Sequence, residues 1–180
     1  MADIYYKNKK ETLADLFGVQ TINITANKLN VGQKVFPIID DVIILLAPED
    51  YPAELKKKLG IQETVVENNG DVAQIQFSFG AEWKNYNKII PEHVNEFENY
   101  FDLVDFEELT KARVMDVGCG IGRWAYFVQS KVREIILLDF SMAIFEARKN
   151  LRNAPNALFF MGDLTKMVFR DNSFDFIYSL

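Results

Sequence analysis

The residues best placed to do chemistry lie in VMDVGCGIGRW at 114–124, where Asp116 precedes glycines at every second position, Gly118, Gly120 and Gly122. Glycines behind an apolar run permit a tight turn and let a ligand approach the main chain, while the helix expected next presents free amide groups. A nucleotide-like ligand fits such a turn. The dinucleotide fingerprint needs its third glycine three residues after the second, a position held here by Arg123. A P-loop needs lysine followed by serine or threonine, where this chain reads GRWA. Asp116 then separates the remaining ligands by charge, because a carboxylate repels a pyrophosphate and attracts an ammonium group.

S-adenosylmethionine carries an α-amino group, a sulfonium and no phosphate, so an acidic strand end beside a glycine turn suits it. Its carboxylate would take amides at the helix start. With MDVGCGIGR at 115–123 the chain resembles the class I, Rossmann-like S-adenosylmethionine-dependent methyltransferases. The resemblance covers 91–180 and implies roles for further residues. Asp139, in ILLDFS, would accept hydrogen bonds from the ribose hydroxyls, and Phe140 and Met142 would pack on the adenine face. Gly162, Asp163 and Leu164, in FFMGDL, would form the adenine end of the site, with Asp163 against the exocyclic amine. NSFDFIYSL resembles a fourth strand whose end lines the methyl-transfer pocket.

Other reactive side chains have plainer readings. Cys119 sits where a helix N-terminus could depress its pKa, but a crowded glycine turn needs a small residue there, and we assign it to the cofactor loop rather than to catalysis. Arg123 is placed to meet the cofactor carboxylate or to stand exposed on the first helical turn. Trp124 and Phe127 read as core, and Ser141 as the N-cap of the helix after Asp139. His93, the sole histidine, reads as solvent-exposed. No catalytic base and no metal ligand set is assigned.

These residues need strands and crossovers to position them. ARVMDVG, EIILLDF, ALFFMGD and FDFIYSL are short apolar runs, with helical segments between the first three, as in a parallel sheet joined by crossovers. The fold expected is α/β, a Rossmann-like parallel sheet. In the family the strand order is 3-2-1-4-5-7-6, and this chain would supply the first four strands. A fourth strand left at an edge invites pairing with another chain, so the sequence is expected to be part of a longer enzyme. Upstream, INITANKL, a turn around Gly32, KVFPII and DVIILLA predict a small β-rich module. AELKKKLG predicts a short helix with a solvated lysine face, closed by Gly60. ENNGD predicts a turn and VAQIQFSF a strand. Pro91 is expected to open a helix with Val94, Phe97, Phe101 and Val104 on one face. The organisation expected is a β-rich module at 1–70, a connecting segment and helix at 71–110, and the methyltransferase half-domain at 111–180.

Composition bounds the rest. In 180 residues, 49% hydrophobic with a net charge of −6, a real core is available but no global positive field, which disfavours nucleic acid as a partner. One cysteine excludes an intramolecular disulfide or a multi-cysteine zinc site built from this chain. The N-terminus lacks an apolar signal core, and FPIIDDVIILLA is too short and too acidic to span a bilayer, so a cytoplasmic location is expected. The function expected is methyl transfer from S-adenosylmethionine to an unidentified acceptor, a small molecule or a sugar or lipid intermediate, with homo-oligomer or partner contacts through the N-terminal module. The alternatives are an NAD-dependent oxidoreductase, and a non-catalytic protein that keeps the fold for interaction.

Overall fold

The computed structural model describes residues 5–61 and 88–180. The turn expected at ENNGD and the strand at VAQIQFSF lie outside them. Five helices and eight strands belong to the described part: α1 Lys10–Leu16, β1 Asn23–Ile24, β2 Lys28–Val31, β3 Lys34–Ile39, β4 Val42–Ile44, α2 Ala53–Leu59, α3 His93–Tyr100, β5 Arg113–Val117, α4 Arg123–Val128, β6 Glu134–Asp139, α5 Ala143–Asn150, β7 Ala157–Met161 and β8 Phe176–Tyr178.

The strands form one sheet in the order β1-β2-β3-β4-β7-β6-β5-β8. From β5 the chain crosses through α4 to β6 and through α5 to β7, then returns to the opposite flank of β5 as β8, all in parallel pairing. Strand order therefore reverses between β5 and β8. The crevice at the carboxyl ends of strands flanking such a reversal is where open α/β sheets bind ligands.

The N-terminal strands differ from the expectation of a module set before the sheet. They are its continuation, because β4 pairs in parallel with β7, Ile43 opposite Phe160 and Ile44 opposite Met161. The physical reason lies in β4, whose three residues are all buried. A strand apolar on both faces needs a sheet covered on both faces. Val42 and Ile44 join Val114, Ile135, Leu137 and Phe159 in one core layer beneath α2 to α5, whereas Ile43 joins Met115, Ile136, Leu138 and Phe160 in the other, beneath α1. The β3–β4 turn is Asp40–Asp41, both at positive φ (46° and 63°), as a two-residue hairpin turn of the right twist requires. Lys58 and Arg148 pair with these two aspartates at 2.6 and 2.9 Å.

Other local expectations are met or shifted slightly. Gly60 ends α2 in the left-handed region at φ 68°. Helix α3 begins at His93; Pro91 sits in the preceding turn, its carbonyl accepting the Val94 amide at 3.1 Å. Phe97 and Phe101 bury, Val104 packs against the same core, and Val94 is exposed. Among the described residues no helix is long and apolar enough to cross a membrane.

Candidate functional site

The loop after β5 turns on left-handed backbone at Gly118 (φ 70°), Gly120 (53°) and Gly122 (74°), and the first and last of these meet different demands. A Cβ at Gly122 would lie 2.7 Å from Leu151 Cδ1 and 3.1 Å from Ala147 Cβ, so this glycine lets helix and sheet pack closely. A Cβ at Gly118 would meet nothing nearer than Ser179 Oγ at 3.9 Å. Gly118 thus leaves open space at the reversal point, beside the ends of β5 and β8.

Asp139, at the end of β6, braces this loop. Its Oδ2 accepts the Gly120 amide at 2.7 Å, and its Oδ1 accepts both the amide and the hydroxyl of Ser141 at 2.7 Å. Ser141 Oγ in turn accepts the Ala143 amide at 3.2 Å in a local turn, but the N-cap of α5 is Met142, one residue later than expected, with no side-chain cap bond. The loop amides are used internally: Gly118 and Cys119 donate to Leu138 O at 2.8 and 3.1 Å, and Gly122 donates to Cys119 O at 2.8 Å. The glycine loop is therefore a preformed structure, tied to β6 at several points.

Asp116, one residue inside the end of β5, is 1% exposed. The Tyr178 hydroxyl donates to its Oδ2 at 3.0 Å from β8, where the two residues stand opposite each other in register. Among the described residues no Lys or Arg lies within salt-bridge distance of it. Burial pushes its pKa up to about 7, and the negative charge of Asp139 adds to this; the Tyr178 hydroxyl and the Ala125 amide pull the other way. The Tyr178 phenol is itself raised well above its usual value, first by burial and then by Asp116. Tyr178 escaped sequence reasoning because its role depends on a cross-strand register, which FDFIYSL does not carry.

Asp163 follows β7 at the same end of the sheet, but its carboxylate serves its own turn. Oδ1 accepts the Thr165 amide at 2.8 Å and hydroxyl at 2.7 Å, holding its pKa below the usual range. Leu164 is exposed, and Gly162 is packed against Leu138 and Leu45, where a Cβ would come within 3.0 and 3.3 Å. Phe140 and Met142 are half-buried against the helix-side core. The structure thus brings Asp116, the three loop glycines, Cys119, Asp139 and Tyr178 together, with Asp163 at the neighbouring strand end.

Three other residues resolve simply. Cys119 is buried, and burial raises its thiol well above its usual pKa, which favours the neutral thiol. Arg123 lies 3.5 Å from Glu96 on α3 and over the Trp124 ring at 5.2 Å. His93 is half-buried rather than fully exposed, its Nδ1 accepting the Ile90 amide at 3.3 Å.

Residues 114–180 match the family model described as a methyltransferase domain. The matched segment is just over a third of the chain and holds the glycine loop, Asp139 and Asp163. The phosphoethanolamine N-methyltransferase 1 of Haemonchus contortus, solved with phosphoethanolamine and S-adenosylhomocysteine, is similar over 58% of this chain and 25% of its own, at 20% identity and a TM-score of 0.47. A SAM dependent methyltransferase from Aquifex aeolicus is similar over 56% of this chain and 55% of its own, at 20% identity and a TM-score of 0.48. The chain thus spans between a quarter and just over half of the length of these structures. No curated protein matches the chain.

Proposed function

We propose that this chain provides the donor-binding part of a methyltransferase that uses S-adenosylmethionine, with the donor seated over Gly118 in the crevice between β5 and β8. The observation that carries the reading is a pairing of opposites: a buried, cation-free carboxylate at Asp116 stands two residues before a glycine whose missing side chain leaves open space. The donor's amine would meet Asp116. The ribose would lie toward Asp139, which already accepts three hydrogen bonds and so has about one acceptor site left of the roughly four a carboxylate offers. The adenine would extend toward 162–164, flanked by Phe140 and Met142.

When bound, the donor supplies an electrophilic methyl group on its sulfonium. The protein's share of an in-line displacement is alignment and exclusion of water, and a braced loop serves the first of these. A general base is needed only where the acceptor must lose a proton. We place the acceptor among small molecules or sugar and lipid intermediates, entering from the β8 side, and the location in the cytoplasm. Calorimetric titration with S-adenosylhomocysteine, and with NAD as the control, tests the reading: heat with the first and none with the second is expected, and the reverse would transfer the site to hydride chemistry.

A further inference from the structure

The Asp116–Tyr178 contact is left unexplained by donor binding alone. Two buried acidic groups, one from each strand flanking the reversal point, share a hydrogen bond beside the glycine turn. We propose that Tyr178 is a positioning residue for the donor site: its hydroxyl holds the Asp116 carboxyl in the crevice between β5 and β8, ready to receive a cationic amine. This rests on the donor reading above.

Tyr178 is fixed in turn by its surroundings. Its ring stands edge-on to Phe101 at 5.1 Å, and Phe101 also contacts Trp124 at the start of α4. The hydroxyl therefore cannot swing freely, and the carboxyl it binds is oriented before any ligand arrives. The charged or titratable groups facing Asp116 are Asp139 from β6, Cys119 from the loop and Tyr178 from β8, none of them cationic; Arg123 on α4 is engaged with Glu96. An ammonium group would be the first positive charge in this set.

Proton linkage follows. With burial holding its pKa up near 7, Asp116 is largely protonated below that pH. Docking an ammonium converts the carboxyl to a carboxylate and sends one proton to solvent, so charge balances. Affinity must then fall as pH drops below about 7, by up to tenfold per unit. Removing the Tyr178 hydroxyl removes a bond that favours the charged form, which raises the midpoint further.

Two measurements on the whole chain test this. The carboxyl-carbon NMR titration of Asp116 in the free protein should inflect near pH 7, and at higher pH in Tyr178→Phe, which keeps the ring against Phe101. Calorimetry with S-adenosylhomocysteine between pH 5.5 and 7.5 should show affinity rising with pH and proton release, with the curve of Tyr178→Phe displaced to higher pH. Asp116→Asn should bind weakly with no slope. An unmoved midpoint in Tyr178→Phe, or a loss of affinity equal at every pH, overturns the positioning role while leaving the donor reading intact. Absence of binding by the unaltered protein at every pH overturns the donor reading and this inference with it.

Discussion

Asp139 Oδ2 accepts the Gly120 amide at 2.7 Å, so the residue that ends β6 holds the loop that ends β5. The geometry of the glycine loop therefore depends on a contact between neighbouring strands. Replacing Asp139 with Ala strands the Gly120 amide and both Ser141 donors in a buried setting. The expected cost is about 3 kcal/mol, at the upper end for such groups, measured by urea unfolding. Asp139→Asn retains one acceptor and should lose about half as much.

Gly118 and Gly122 share a backbone conformation and should respond differently to alanine. Gly122→Ala adds overpacking against Leu151 and Ala147 to left-handed strain, for a total of about 3 kcal/mol in unfolding experiments. Gly118→Ala has only the strain, about 1 kcal/mol, because its Cβ enters open space. That same methyl group would occupy the proposed donor position, so binding of S-adenosylhomocysteine should weaken by roughly tenfold or more, about 1.4 kcal/mol. A variant that loses stability but keeps full affinity would place the ligand elsewhere.

Asp116 should make stability depend on pH. Its folded pKa, near 7, lies above the ordinary carboxylate value of 3.8, so the folded protein holds this proton more tightly than the unfolded chain. The stability it contributes is complete below about pH 4 and is lost as pH rises through about 7. Asp116→Asn removes the titration. Melting curves should therefore show the variant gaining on the unaltered protein as pH rises from 5 to 8, and a difference constant with pH would contradict this account.

At the opposite end of the sheet, Arg113 is buried, with its guanidinium 2.7 Å from Asp15 on α1 and 2.7 Å from Glu134 on β6. Arg113→Met should destabilise by about 3 kcal/mol, because it leaves carboxylates without their buried partner. Arg170 also reaches Asp15, at 2.8 Å, but is half exposed, and Arg170→Met should change stability by about 0.5 kcal/mol or less. Chemical denaturation of the two variants side by side distinguishes buried from surface pairing.

The strands that carry the site were legible because they are continuous apolar runs ending in Asp or Gly, and β5 and β7 are buried at every position. The α2 stop at Gly60 was equally local and readable, whereas the start of α5 fell one residue after Ser141, at Met142. What could not be read was pairing between distant segments. VII at 42–44 signalled a doubly covered strand by lacking polar alternation, yet nothing in it names β7 as its neighbour. Tyr178 drew no individual reading within FDFIYSL, because its partner is set by the β5–β8 register. The Thr165 contact to Asp163 Oδ1 was local to the sequence, two residues on, and was not anticipated. Helix α1 went unread because its buried Leu13 and Leu16 offer less than two helical turns of pattern.

Because β4 shares both core layers with β5 to β7, unfolding should be one transition. Ile43→Ala, at a fully buried position beside β7, should cost about 2–5 kcal/mol of stability, read as a lower urea midpoint. Circular dichroism and tryptophan fluorescence should move together, and separated transitions would mean that the N-terminal strands fold alone.

The parallel seam between β4 and β7 also sets a timetable. Tyr6 and Phe159, 153 residues apart, are joined by hydrogen bonds, and Ile43 has no sheet neighbour on its β7 side until Phe160 exists. On the ribosome the first strands must wait, apolar and half-paired, until β7 has emerged. Such late closure slows folding and leaves an apolar strand edge exposed to mispairing in the meantime.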